Sequence, residues 1–154
     1  MEYLIAKWLH ILSSTLLFGT GIGSAFYLLT ATIDRDPRVV AAVARWVVVA
    51  DWMFTATTAI FQPLSGLWMM HLVGFTLESR WLLWSVILYA IAIACWLPVV
   101  WLQMRLRDTA RQAADTGKPL SPAYWRYFRA WMALGFPAFF AFLAVFYLMV
   151  AKPN

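Results

Sequence analysis

The chain has 154 residues, 64% hydrophobic, 18% aromatic and only 12% charged, where a soluble domain carries about a quarter charged residues. That excludes an ordinary soluble domain. The surplus of 12 Lys+Arg over 7 Asp+Glu is not interleaved with aromatics into a basic face, which excludes nucleic acid as a partner and makes the surplus a topology signal.

Four hydrophobic segments reach the roughly 20 residues that a helix needs to cross the hydrocarbon core. The first, about 3–33, continues far beyond the short apolar core of a cleavable signal peptide and is expected to be a retained membrane helix. It carries His10, an imidazole whose burial in an apolar span is costly and therefore marks a candidate site. At helical spacing His10 shares a face with Ser13, Ser14, Leu17, Gly21 and Ser24, a small and polar stripe expected to face the bundle interior. Gly19 and Gly23 form a small-xxx-small pair suited to close helix approach within the chain or between subunits.

Asp34-Arg35-Asp36-Pro37-Arg38 closes this segment with a turn. The second hydrophobic stretch, Val39 to Phe75, is too long for one simple crossing. Its span is placed at 47–75, with Arg45 and Trp46 in the headgroup region and a kink expected at Pro63. On it Asp51, Thr55, Thr58 and Gln62 form a polar stripe at i, i+4, i+7 and i+11, and His71 falls nearly opposite, so both can face inward only if Pro63 turns the helix. Asp51 is the one carboxylate deep in an apolar run. It needs a partner, and the expected one is Arg105 or Arg129, with a role in proton or substrate handling as the alternative. Gln62 is expected to be interhelical glue.

The third span covers 81–106, with Pro98 as a bend and Cys95, the single cysteine, packed as a small hydrophobe. Arg107 to Ser121 is the one long polar stretch. Ser121-Pro122 reads as an N-cap with proline at the first helical position, opening the fourth span at 125–150. No repeat or linker divides the chain, so residues 1–154 form a single membrane domain. The fold class is all-α, a polytopic four-transmembrane-helix bundle.

With four spans, Arg35, Arg38, Arg45, Arg105, Arg107, Arg111, Lys118, Arg126 and Arg129 share one face, and Lys7, Arg80 and Lys152 the other. The positive-inside rule places the first group in the cytoplasm and both termini outside, in the periplasm of a bacterial inner membrane. Trp8, Trp68, Trp81 and Trp84 then mark the outer interface, and Trp46, Trp101, Trp125 and Trp131 the inner one.

His10 and His71 are expected at similar depth on the outer side. Imidazoles from two facing helices are a common way to hold haem b in an apolar bundle, so His10 and His71 are the candidate ligands to a haem iron. Hydrogen-bonded structural histidines are the bland alternative, as is His10 alone completed by Met69, Met70, Met149 or an open position. Two histidines and a distant cysteine supply too few ligands for zinc or copper. Phosphate loops, nucleophile elbows and paired catalytic carboxylates are absent from the sequence.

Tyr3-Leu4-Ile5-Ala6-Lys7-Trp8-Leu9-His10, followed by Gly19, resembles the opening of the HemJ-type membrane proteins. With Ala50-Asp51-Trp52-Met53-Phe54-Thr55, the same opening makes the whole chain similar to a bacterial family of predicted integral membrane proteins of unknown function. The HemJ resemblance extends to Gly66-Leu67-Trp68-Met69-Met70. It implies haem association, protoporphyrinogen oxidation and a functional role for His10. The chain departs from that family at Ala94-Cys95-Trp96-Leu97-Pro98, which offers no histidine, so the oxidase activity does not carry over while the haem-binding scaffold does. The resulting expectation is a haem-b protein, a haem-dependent oxidoreductase or electron carrier working with quinone or a periplasmic partner. Its rivals are a non-enzymatic subunit or assembly factor of a larger complex, a homo-oligomer included, and a small transporter or channel using Asp51 and Gln62.

Overall fold

A computed structural model describes residues 1–153. It contains four helices long and apolar enough to cross a membrane: α1 (Glu2–Asp34), α2 (Pro37–Val73), α3 (Arg80–Thr116) and α4 (Pro122–Ala151). The chain is thus an all-α, multi-pass four-helix membrane protein, and the lipid bilayer contacts its apolar outer surface.

The turns follow their local chemistry. Arg35 adopts a left-handed conformation (φ 59°) after α1, and Asp36 caps α2 by accepting from the Arg38 amide, with Pro37 at the first helical position. Ser121 caps α4 by accepting from the Tyr124 amide, as the Ser-Pro pair predicts. Gly74 and Gly117 end α2 and α3 with positive φ, a conformation that costs glycine little.

Two helices are longer than their predicted spans. The α2 helix starts ten residues before the expected span at position 47, and α3 runs ten residues past Leu106. At 1.5 Å per residue, a 37-residue helix is about 55 Å long, well beyond the ~30 Å hydrocarbon core. These extensions pack together. Val40, Ala44 and Val47 of α2 meet Leu102, Leu106 and Ala110 of α3 and Tyr124 of α4 in one buried cluster that also takes in Leu28. The densest core therefore sits toward the end of the bundle holding the two short connections at 35–36 and 117–121. There, Thr32 and Tyr124 share a buried 2.6 Å hydrogen bond between α1 and α4, and Arg35 lies over the Trp125 ring.

Within α2 the α-helix gives way to one π turn at Asp51–Thr55. The buried positions Val47, Asp51, Thr55 and Ala59 are spaced by fours, a pattern that drifts about 40° per step on a 3.6-residue helix. Widening one turn to i→i+5 hydrogen bonding slows the winding, offsets that drift and keeps the row facing inward.

Pro63, expected to kink α2, lies inside its continuous α-helical part, Ala56–Val73. Proline lacks the N–H that would bond the carbonyl four residues back, here that of Ala59. The Tyr89 hydroxyl of α3 donates to this Ala59 carbonyl at 2.5 Å, replacing the lost helical donor from the neighbouring helix. Tyr89→Phe should leave that carbonyl unpartnered and destabilise the protein by about 1–3 kcal/mol, read as a lowered unfolding temperature in mild detergent. In a Pro63→Ala background, where the alanine restores the missing N–H, the same substitution should cost much less. Equal losses in both backgrounds would refute this role.

Candidate functional site

The helices bring the predicted polar residues into two separate groups. In the first, α1 and α2 meet at His10. Its Nδ1 lies 2.7 Å from Ser65 Oγ, and the Gln62 amide donates to the His10 backbone carbonyl at 3.2 Å. Ser65 has one hydroxyl proton, directed at the backbone carbonyls of Phe61 (2.8 Å) and Gln62 (3.1 Å). When that proton goes to one of these carbonyls, Ser65 Oγ accepts from His10 Nδ1–H, and the tautomer with its proton on Nδ1 keeps a free lone pair on Nε2. Nε2 has no hydrogen bond and is not among the enclosed unpaired atoms. A β-carbon placed on Gly66 would stand 3.7 Å from His10 Cε1, an ordinary contact distance, so Gly66 lies close beside this edge of the ring.

His71 does not join this group. It is not among the buried residues, and nine residues beyond Gln62 it falls on the opposite face of an ideal helix. It is exposed, and among the described residues no hydrogen bond joins it to His10. The α1 stripe expected with His10 does face the interior at Ser13, Leu17 and Ser24, all buried. The Gly19/Gly23 pair makes no close approach within the chain, since a β-carbon at either would meet nothing within 4 Å.

The second group surrounds Asp51. The whole stripe of Asp51, Thr55, Thr58 and Gln62 is buried. The expected arginine partner is not there: Asp51 Oδ2 and Oδ1 accept from Trp96 Nε1 of α3 at 3.2 and 3.4 Å. Arg105 instead donates to the Tyr127 hydroxyl and lies over Trp101 and Tyr127, while Arg129 donates to the Trp125 carbonyl. The reason is one of depth. Both arginines sit where their guanidinium groups can stay out of the apolar interior, whereas Trp96 reaches the carboxyl group from an apolar helix without burying a second charge.

Trp131, assigned from sequence to the interfacial belt, is 5% exposed and belongs to the interior. Trp8, Trp46, Trp68, Trp84 and Trp101 are all more than half exposed, as belt residues should be.

A cavity of about 360 Å³ lies beside Asp51, bounded by residues of all four helices. Sequence reading missed it, because its walls are ordinary apolar residues and its polar members, Gln103 and Trp131, lie on helices whose apolar runs carry little other polar signal. Among the described residues no cluster of three or more His, Cys, Asp or Glu could hold a metal ion.

If Trp96 is the main donor to Asp51, Trp96→Phe should leave a buried carboxyl group without its partner and cost about 1–3 kcal/mol. Asp51→Leu in the same background should recover most of that loss, since both partners are then apolar. Thermal unfolding of the single and double variants measures this, and the absence of recovery would count against the pairing.

Residues 4–153 match a family described as "Predicted integral membrane protein (DUF2269)". Comparison with curated proteins and with solved structures gives no match.

Proposed function

The chain belongs to this family of predicted integral membrane proteins, and on that footing we propose that it binds haem b through His10 and serves electron transfer with a quinone or a periplasmic partner. The observation that carries the reading is the contact between His10 Nδ1 and Ser65 Oγ. An axial or metal-bound imidazole is typically held by a hydrogen bond from its other nitrogen, which fixes the tautomer and orients the ring. Ser65 Oγ, 2.7 Å from Nδ1, is placed to make that bond, with the Phe61 carbonyl as an acceptor for its own proton. Gln62 ties the backbone of the same residue to α2. The Tyr3 to His10 opening, similar to that of the HemJ-type proteins, points to the same residue.

In this reading His10 holds the iron through Nε2, Ser65 positions the ring, and bound haem supplies reversible one-electron storage. His71 stands on another face of α2, so the reading rests on His10, and His71 could contribute only from a neighbouring copy. The basic residues Arg35 to Arg45 and Arg105 to Arg129, at the end of the bundle holding the two short connections, support a cytoplasmic position for that end. Both termini and the His10 end are then periplasmic in a bacterial inner membrane.

Protein purified after expression with ample haem should show a Soret band, and His10→Ala should abolish it. Ser65→Ala should keep the band with haem affinity about 10–100-fold weaker, the usual effect of removing a ligand's hydrogen-bond partner. His71→Ala should leave the spectrum of the monomer unchanged. A wild-type protein without a Soret band, or a full band in His10→Ala, would overturn the proposal.

A further inference from the structure

Among the described residues the buried side-chain atoms Ser13 Oγ, Gln103 Oε1 and Trp131 Nε1 lack a hydrogen-bond partner. All but Ser13 belong to residues lining the cavity beside Asp51. Thr55, Gln103 and Trp131 are each 5% exposed and Asp51 is 4% exposed. An unpaired polar group in an apolar interior costs free energy comparable to a lost hydrogen bond, and two such residues, Gln103 and Trp131, lining one hollow, point to a molecule that pairs with them. The Thr55 hydroxyl has the Asp51 carboxyl group beside it as its partner.

The polarity of these groups narrows the class of molecule. Trp131 Nε1 only donates, a carboxylate only accepts, and a hydroxyl or a side-chain amide can do either or both. A cationic head group could not accept from Trp131, and a ketone or ester could not donate to Asp51. A hydroxyl does both. The remaining walls are mostly apolar, with Phe18, Phe139 and Phe142 among them, surfaces suited to a ring.

The route in is from the bilayer. Helices α1 and α4 are bridged at one end by Phe18, which stacks on Phe139 at 5.6 Å and meets Phe146 edge-on at 5.1 Å. At the other end the Thr32–Tyr124 bond and the Arg35–Trp125 contact close the seam. Between these ends the cavity walls include the small residues Gly21 and Gly135, and a β-carbon at either would meet nothing within 4 Å. Ile22 (42% exposed) and Phe136 (57% exposed) flank this stretch at the outer surface.

We propose that this cavity binds a quinol-type molecule, a hydroxylated ring with an apolar tail, entering laterally between α1 and α4. The head group pairs with Asp51, Gln103 and Trp131, and the tail leaves toward the lipid past Gly21 and Gly135. The proposal deepens the quinone half of the function given above. It does not require haem, because neither His10 nor His71 lines the cavity.

The test uses the full chain in lipid nanodiscs, kept anaerobic and free of haem, with a radiolabelled decyl-substituted benzoquinol as probe and empty nanodiscs as the background. Saturable binding of one molecule per chain is expected, and the dimethyl ether of the same quinol should bind at least tenfold more weakly. Gly135→Leu and Gly21→Leu fill open space and should each weaken binding at least tenfold without lowering the unfolding temperature. If one of them misfolds, the other carries the result. Gln103→Leu should also weaken binding, and His10→Ala should bind as the wild type does. The proposal fails if binding does not exceed that of empty nanodiscs, if the dimethyl ether binds equally well, or if a folded cavity-filling variant keeps full affinity. A wild-type protein without haem but with quinol binding intact would remove the haem reading and leave this one standing.

Discussion

Within a bilayer a polar group that misses its partner has no water to turn to, and this constraint organises the molecule. It explains why the interior contacts that matter most are few and specific. The carbonyl freed by Pro63 is taken up by Tyr89 from another helix. Thr32 satisfies itself on the Leu28 carbonyl and meets Tyr124 as well. His10, Gln62 and Ser65 pair with one another between α1 and α2. Where the accounting does not close, around Gln103 and Trp131, the structure has a hollow instead of a packed contact.

The two ends of the bundle differ in kind. Toward the two short connections, small and branched residues of α2 and α3 interlock with Tyr124 and Leu120 into a dense core. Toward the termini, α1 and α4 meet mainly through the rings of Phe18, Phe139, Phe142 and Phe146. The base is firm and holds the Asp51 region in register, while the upper seam is looser. The π turn belongs to the same design, since it keeps Val47 in the firm core and Asp51 and Thr55 at the hollow on one inward row.

Much of this was legible in the sequence. Composition and segment length give the four helices, Ser121-Pro122 and Asp36-Pro37 give their starts, and the spacing of Asp51, Thr55, Thr58 and Gln62 gives a buried stripe. The misses have physical causes. The extensions of α2 and α3 continue as helix outside the apolar core because they pack on each other, which hydropathy does not report. An arginine was a reasonable partner for Asp51 by charge, but depth along the helix decided for Trp96. The donor that answers the carbonyl freed by Pro63 lies on α3, beyond what one helix's own sequence can show. The pairing of His10 with Ser65 joins residues 55 positions apart, and no periodicity within one segment reveals it.

The polar contacts also bear on how the chain is assembled as it leaves the ribosome. The His10–Ser65 and Gln62–His10 bonds lie wholly within the first two helices, so that hairpin can neutralise its own most costly groups as soon as both helices have entered the bilayer. Asp51 has no such local remedy. Its donor, Trp96, arrives only with the third helix, as does the Tyr89 hydroxyl that completes Ala59. The half-inserted chain therefore has a self-sufficient end and a waiting end, and insertion of α3 is the step that makes the first half of the protein at home in lipid.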